Sequence, residues 1–309
     1  MDGHWQMRLL LLGIILWLFA LVAFSTTIVN TASQPVNMRV VGAMAAATPT
    51  GTPSGGATPS PTPTSTPVDP STIAGLNLWL KADAITGVAD GAPMYSGWPD
   101  SSGQAHDFAA YVGYPIFKQN FLNGKPVVGF SGTNQFLTNT TAALISGQCT
   151  VIAVVSFDAA AAGAHSYFCS GGGASNTIAM TIGSNGADLA HNHFASGWAS
   201  ATDIGGVVPN AFNIVTADWN GSNIHLWRNG ALKATTGATT FANTATTTRL
   251  GLDDLSQTFA GNLAEVLIYS RALSDPERHA VDSYLSTKYG ITVTQGLRDL
   301  LLERVKEKQ

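Results

Sequence analysis

Five dipeptides, Asp90-Gly91, Asn123-Gly124, Asn185-Gly186, Asn220-Gly221 and Asn229-Gly230, divide the middle of this chain into short apolar runs. Asn or Asp followed by Gly tolerates the positive φ angles of tight hairpin turns, so a chain divided this way folds by pairing strands. The runs Val127 to Phe130, Cys149 to Phe157, Ile178 to Ile182, Ile214 to Trp219, Ile224 to Arg228 and Leu263 to Tyr269 are the expected strands. Together they predict an all-β sandwich over residues 71–292. In the run from Cys149 to Phe157 one face carries Cys149, Val151, Ala153, Val155 and Phe157, and the other Thr150, Ile152, Val154 and Ser156. Apolar groups on both faces predict a central strand, covered on each side.

Composition narrows the class of partner. Only 11% of the 309 residues are charged, against about 25% in a usual soluble domain, while 45% are apolar. That balance excludes a chain disordered throughout. The 15 Lys and Arg stand against 19 Asp and Glu and are mostly scattered singly, so no basic stripe tracks a phosphate backbone and nucleic acid is not an expected partner.

The N-terminal part is of another kind. After an N-terminal flank of residues 1–8, residues 9–29 carry no charge. At about 1.5 Å per residue this run reaches roughly 31 Å, the thickness of a hydrocarbon core. It predicts a transmembrane signal anchor; the alternative is a cleaved signal peptide, with Ala43-Met44-Ala45 as a small-residue cutting site. Either route puts the bulk of the chain outside the membrane, as an anchored extracytoplasmic domain or a secreted one. Residues 30–70 form a linker in which half of all the prolines fall between Pro49 and Pro70, and such a segment favours extended polyproline II.

Near the other end, Ser274 followed by Asp275, Pro276 and Glu277 is a capping box with proline in the first turn. Val281, Tyr284 and Leu285 then form an apolar stripe ending near Gly290, which predicts a short helix on the sandwich rim. Residues 293–309 add a second amphipathic stripe of Leu297, Leu300, Leu301 and Val305, a tail that is expected to dock loosely or self-associate.

Two separated segments carry a family resemblance. Gly75-Leu-Asn-Leu-Trp-Leu-Lys-Ala-Asp83, Trp98-Pro-Asp-Ser-Ser-Gly-Gln-Ala-His-Asp107 and Asn123-Gly-Lys-Pro-Val-Val-Gly-Phe130 resemble the opening of bacterial laminin-G-like (concanavalin A-like lectin/glucanase) jelly-roll domains. Gly261-Asn-Leu-Ala-Glu-Val-Leu-Ile-Tyr-Ser-Arg-Ala-Leu-Ser-Asp-Pro-Glu-Arg278, with Tyr284-Leu-Ser-Thr-Lys-Tyr-Gly-Ile291, resembles the close of the same family. The resemblance implies a jelly-roll β-sandwich. It does not choose among lectins, carbohydrate-binding modules, glycosidases, adhesion modules and structural domains, all of which use this fold.

The chemistry narrows these. Retaining glucanases need two carboxylates about 5 to 5.5 Å apart, commonly from a Glu-x-Asp-x-x-Glu pattern. The chain has none, and Glu265 is its only Glu before Glu277, so no catalytic residue is assigned. Simple alternation places Glu265 on one face with Leu263, Leu267 and Tyr269, where its charge needs a partner. In related jelly rolls a closing-strand carboxylate and the Asp-rich turn near the start share a structural calcium, so the resemblance makes Asp100, Asp107 and Glu265 candidate calcium ligands. Asp100 followed by Ser101-Ser102-Gly103 reads equally well as a turn whose carboxylate caps its own backbone amides. Cys149 and Cys169 are a candidate disulfide in an exported protein, or else two small core residues.

Sugar rings present apolar C–H faces to flat indoles while their hydroxyls bond polar neighbours. Trp198, with His191 and His193 upstream, and Trp227, two residues from His225 on one strand face, have that setting and are the expected carbohydrate-binding residues; each suits a core position equally. His191 and His193 also have the spacing of a transition-metal pair. The leading expectation is a non-catalytic, surface-displayed module that binds an extracellular glycan. The alternatives are a structural or adhesive domain that engages a surface protein, and a divergent polysaccharide hydrolase or lyase. Asn139-Thr140-Thr141 and Asn220-Gly221-Ser222 are formal glycosylation sequons.

Overall fold

The computed structural model describes residues 68–294 apart from positions 112, 142, 159–164, 172–176, 183–185, 195–197, 238–245 and 254. The expected membrane segment at 9–29, nearly all of the linker and tail residues 295–309 lie outside the described residues. Among the described residues no helix is long and apolar enough to cross a membrane.

Among the described residues fifteen strands form two antiparallel sheets. In chain order they are β1 Leu76–Lys81, β2 Ala109–Ala110, β3 Ile116–Leu122, β4 Lys125–Ser131, β5 Leu137–Asn139, β6 Cys149–Phe157, β7 His165–Ser170 and β8 Thr177–Ile182. They continue as β9 Leu189–Phe194, β10 Trp198–Asp203, β11 Asn213–Trp219, β12 Asn223–Arg228, β13 Ala231–Gly237, β14 Thr248–Leu250 and β15 Ala260–Tyr269. The larger sheet runs β13-β12-β11-β6-β15-β4-β3, with β1 also paired to β15, and the smaller runs β10-β9-β8-β7-β14-β5-β2. Each of the six expected strands is present, lengthened by at most a few residues. The turns that set them are as anticipated: Asn123 and Gly124 (φ 48° and 72°) join β3 to β4, and Asn229 and Gly230 (φ 51° and 77°) join β12 to β13. Two successive positive φ values match the strand twist of a two-residue hairpin.

The apolar alternation packs one core between the sheets, with Val151, Ala153 and Val155 of β6 meeting Leu263, Val266 and Ile268 of β15 and Phe168 and Met180 of the smaller sheet. All nine residues of β6 are buried, because the strand lies between β11 and β15 and both of its faces are covered. The second cover is a helix, α1 (Asp275–Tyr289), which places Val281, Leu285 and Tyr289 against Ile152, Val154, Ile214 and Leu267. α1 therefore packs on the outer face of the larger sheet and not on the rim, since that face carries the second apolar stripe.

The helix starts where its sequence signals. Ser274 N and Oγ both donate to Glu277 Oε2, at 2.9 and 2.7 Å, and Gly290 ends the helix with φ 68°. Arg271 clamps the same carboxylate through Nη1 (2.8 Å) and Nη2 (2.6 Å). The Arg271 guanidinium and Ser274 hold the Glu277 carboxyl down at about 2.

Two expectations need correction. The register along β15 shifts by one residue between Leu263, opposite Val155, and Glu265, opposite Val154. Ala264 is the extra residue, and it reverses the parity of the strand: Leu263 faces the inter-sheet core, whereas Leu267 and Tyr269 face α1. Glu265 thus shares a face with Leu267 and Tyr269 but not with Leu263. Cys149 and Cys169, open to reading as a disulfide or as two small core residues, are buried and not bonded to each other. Cys149 points into the inter-sheet core from β6 of the larger sheet, while Cys169 of the smaller sheet follows core-facing Phe168 and so turns outward.

Candidate functional site

The outer face of the larger sheet holds a groove of about 650 Å³ between the β11–β12–β13 end and the first turns of α1. Strand alternation builds its floor. On β11, Val215, Ala217 and Trp219 point into the core, which turns Thr216 and Asp218 outward; on β12, Ile224 and Leu226 point inward and His225 and Trp227 outward. The turn at Asn220-Gly221 sets Asp218 directly opposite His225 and Thr216 opposite Trp227. The wall comes from the helix, where Asp275, Arg278 and His279 project from consecutive turns.

The polar groups are closely connected. His225 Nδ1 lies 2.6 Å from Asp218 Oδ1, and the two rings of His225 and Trp227 are 5.3 Å apart. Burial pushes the Asp218 carboxyl up, while the hydrogen bond from His225 and the charges of His225 and Arg278 oppose that rise. With Nδ1–H donating to Asp218, a neutral His225 ring keeps its lone pair on Nε2. The Arg278 guanidinium stacks 4.6 Å over the Trp227 ring and is only 5% exposed. Its Nη2 reaches Asp275 Oδ1 (3.2 Å) and His279 Nε2 (2.9 Å), and its Nη1 reaches Asp282 Oδ2 (3.3 Å). Arginine can only donate, so His279 Nε2 accepts. Asp282 sits behind Arg278 with Oδ1 buried and without a hydrogen-bond partner, and burial pushes its carboxyl up to about 6 against the pull of Arg278.

This constellation brings an indole, imidazoles, carboxylate acceptors and a guanidinium into one concavity. Its Asp-His pair resembles the orienting half of a nucleophilic triad, but Ser274, one of the hydroxyl residues lining the groove, donates to Glu277.

The expected site residues fall in different places. Trp227 and His225 are together in the groove. His191 is fully buried, on the same face as core-facing Leu189 and in register with core residues Met180 and Ala201, the position of a core histidine. The side chains of His193 and Trp198 lie outside the described residues. The calcium candidates are not gathered around one point. Asp100 accepts from the amides of Trp79 (2.9 Å), Ser102 (2.8 Å) and His106 (3.0 Å), the self-capped turn; Asp107 Oδ1 accepts from the Asp100 amide (2.7 Å). Glu265, fully buried under α1, takes the indole N–H of Trp79, the ammonium of Lys288 (2.8 Å) and the hydroxyl of Tyr289 (2.7 Å). Its carboxylate ties helix to sheet. Among the described residues no group of three His, Cys, Asp or Glu side chains is placed to hold a metal ion.

Sequence reasoning missed Asp218, Asp275, Arg278 and His279. The first had a signal: a hairpin turning at Asn220-Gly221 pairs position 218 with 225 by counting. The helix residues had none, since only the docking of α1 brings them over Trp227.

Comparison with known proteins agrees with this architecture. A family model described as the concanavalin A-like lectin/glucanases superfamily matches residues 121–277. No curated protein matches the sequence. Among solved structures the chain is similar to domain 4 of AbnA, a GH43 extracellular arabinanase from Geobacillus stearothermophilus, in complex with arabinotriose, with TM-score 0.53, 15% identity, and 65% of this chain and 95% of that one covered. It is also similar to the binding domain of botulinum neurotoxin DC, solved in complex with SialylT (TM-score 0.52, 14% identity, covering 70% of this chain) and with rat synaptotagmin II (0.51, 14%, 68%). In both of these the chain spans 52% of the neurotoxin domain. With two stacked antiparallel sheets, a capping helix and a family match over half its length, the chain belongs to the concanavalin A-like lectin/glucanases superfamily as a laminin-G-like member.

Proposed function

We propose that the sandwich is a non-catalytic module that binds extracellular carbohydrate in the groove floored by Trp227, His225 and Asp218 and walled by Arg278. The observation that carries the reading is the convergence of an indole with a carboxylate–imidazole pair in a cleft large enough for a few sugar rings. The arabinotriose complex of the arabinanase domain and the SialylT complex of the neurotoxin domain, two proteins of the same fold, support it by analogy. In this reading residues 9–29 tether the module to the membrane, or are cleaved to release it, and the Thr/Pro linker spaces it from the surface.

The test is a glycan array probed with the full-length chain in detergent, beside the variants His225→Ala and Trp227→Ala. Saturable binding that falls at least about tenfold in both variants, each still giving a cooperative melt above the assay temperature, is the expected result. Retention of full binding by both variants overturns the groove as the site.

A second reading, adhesion to a surface protein, is favoured by an exposed tyrosine cluster. Tyr95, Tyr111 and Tyr114 are 70%, 54% and 38% exposed, and the rings of Tyr95 and Tyr114 meet edge to face at 4.7 Å. Tyrosines of this kind anchor protein interfaces, and the neurotoxin domain of the same fold is known in complex with rat synaptotagmin II. Binding of a surface protein that is abolished by Tyr95→Ser and untouched by the groove variants moves the function to this surface.

A further inference from the structure

We infer that the groove selects uncharged sugar chains and rejects carboxylated ones such as uronates and sialosides; this rests on the carbohydrate-binding reading above. The argument is one of charge and of donors already committed. Among the described residues lining the groove, Arg278 carries the only side chain that is cationic at every physiological pH. Recognition of a sugar carboxylate wants a guanidinium fork free to donate in parallel from two nitrogens. Here both terminal nitrogens are engaged, Nη1 by Asp282 and Nη2 by Asp275 and His279, and one flat face is taken by Trp227. Asp218 and Asp275 add two carboxylates to the lining, and Asp282 a third immediately behind it. One cation already neutralised by its own neighbours leaves a net negative field at the groove. An arriving carboxylate meets like charge in a partly desolvated cleft, and the terminal guanidinium fork that would compensate it is already engaged. A neutral sugar suits the same groups: its hydroxyls donate to Asp218 and Asp275, which accept only, and to the lone pair on His225 Nε2 when that ring is neutral. Its C–H face meets the apolar part of the lining at Leu232, which is 55% exposed, while Trp227, 8% exposed, lies beneath Arg278.

The experiment measures affinity of the full-length chain in detergent for neutral arabinan, β-glucan and mannan oligosaccharides and for the anionic probes trigalacturonate and sialyllactose, at neutral pH and two salt concentrations. The expected outcome is at least one neutral oligosaccharide bound about tenfold or more tightly than either anionic probe. Asp275→Asn, at an exposed helix position (69% side-chain exposure), removes one carboxylate charge from the groove lining and from beside Arg278 and should narrow that gap severalfold, with the new anionic binding weakened by salt. Asp275→Ser is a second variant that also keeps a residue suited to the first turn of the helix. Equal or tighter binding of the anionic probes overturns the selectivity while leaving a carbohydrate-binding module. A gap unchanged in both variants, with affinity for neutral sugar retained, overturns the assignment of Arg278 and Asp275 as its cause. Binding of no probe by a chain with a cooperative melt overturns the carbohydrate reading itself, and the inference with it.

Discussion

Replacing Glu265 by Gln tests how the helix is held to the sheet. The carboxylate is fully buried and accepts from Trp79 Nε1, Lys288 Nζ and Tyr289 Oη. Burial opposes the charge on Lys288, but Glu265 and Asp83 outweigh it and hold the ammonium above its ordinary range. The amide of Gln has the shape of the carboxylate without its charge, and its NH2 must face one of three donors. Removing one partner of a buried ion pair costs about 3–5 kcal/mol. Asp83, 30% exposed and 3.0 Å from Lys288 Nζ, recovers part of this, so we expect a loss near the lower end, about 3 kcal/mol. For a domain of this size that is a drop of about 6–12 °C in melting temperature. Urea unfolding followed by tryptophan fluorescence measures it, in a cycle with Lys288→Met and the double variant. With no ammonium left to strand, Glu265→Gln/Lys288→Met should lose at least about 1 kcal/mol less than the sum of the single losses. A Glu265→Gln loss below about 1 kcal/mol, or strict additivity, would refute the reasoning and show the pair to be relaxed by solvent.

Three further outcomes follow from the same physics. Asp282, whose carboxyl is pushed up to about 6 from an ordinary 3.8, binds its proton more tightly folded than unfolded, so stability falls as pH rises from about 4 to about 6 by up to about 3 kcal/mol. Asp282→Asn should remove that slope from chemical-denaturation curves, whereas Glu277, held at about 2, gives stability of the opposite sign that is present above pH 4.5 and lost as pH falls toward 2. Burial pushes the Cys149 thiol up to about 12, so iodoacetamide at mildly alkaline pH should leave Cys149 intact in the folded chain and alkylate both cysteines in urea without reductant, as mass spectrometry will read. A chelator should move the melting temperature by no more than about 1 °C, because an ion bound only to the folded state would raise it with concentration, and Asp100, Asp107 and Glu265 already have protein donors.

Much of the sandwich was legible because strand period and turn chemistry are local. Asn123-Gly124 and Asn229-Gly230 declare hairpins within four residues, and the two-faced run from Cys149 to Phe157 declares a central strand. The failures arise where a distant contact decides. One inserted residue, Ala264, moved Glu265 relative to Leu263, and no alternation rule detects a bulge without its partner strand. His191 has the polar identity of a surface ligand, yet its parity with Leu189 turns it inward. Half of the groove was visible as Trp227 and His225 on one strand. The rest depends on α1 crossing the sheet, which the capping box at Ser274 announces as a helix without saying where it lands.

The route by which the chain enters the sandwich has a mechanical consequence. Pro70 is hydrogen-bonded by Tyr269, Ala74 by Arg271 and Gly75 by Ser270, so the lead-in segment is fastened to the end of β15 before β1 begins. Tension applied at residue 69 is met first by these bonds and then by the ladder between β1 and β15. The groove lies on β11 and β12, beyond β15 and β6, so a load between the N-terminal side and a ligand in the groove crosses the β15–β6 and β6–β11 ladders on its way. Under pull between its N-terminal side and a ligand held in the groove, the β1–β15 ladder is the first pairing loaded, ahead of the strands that carry Trp227 and Asp218.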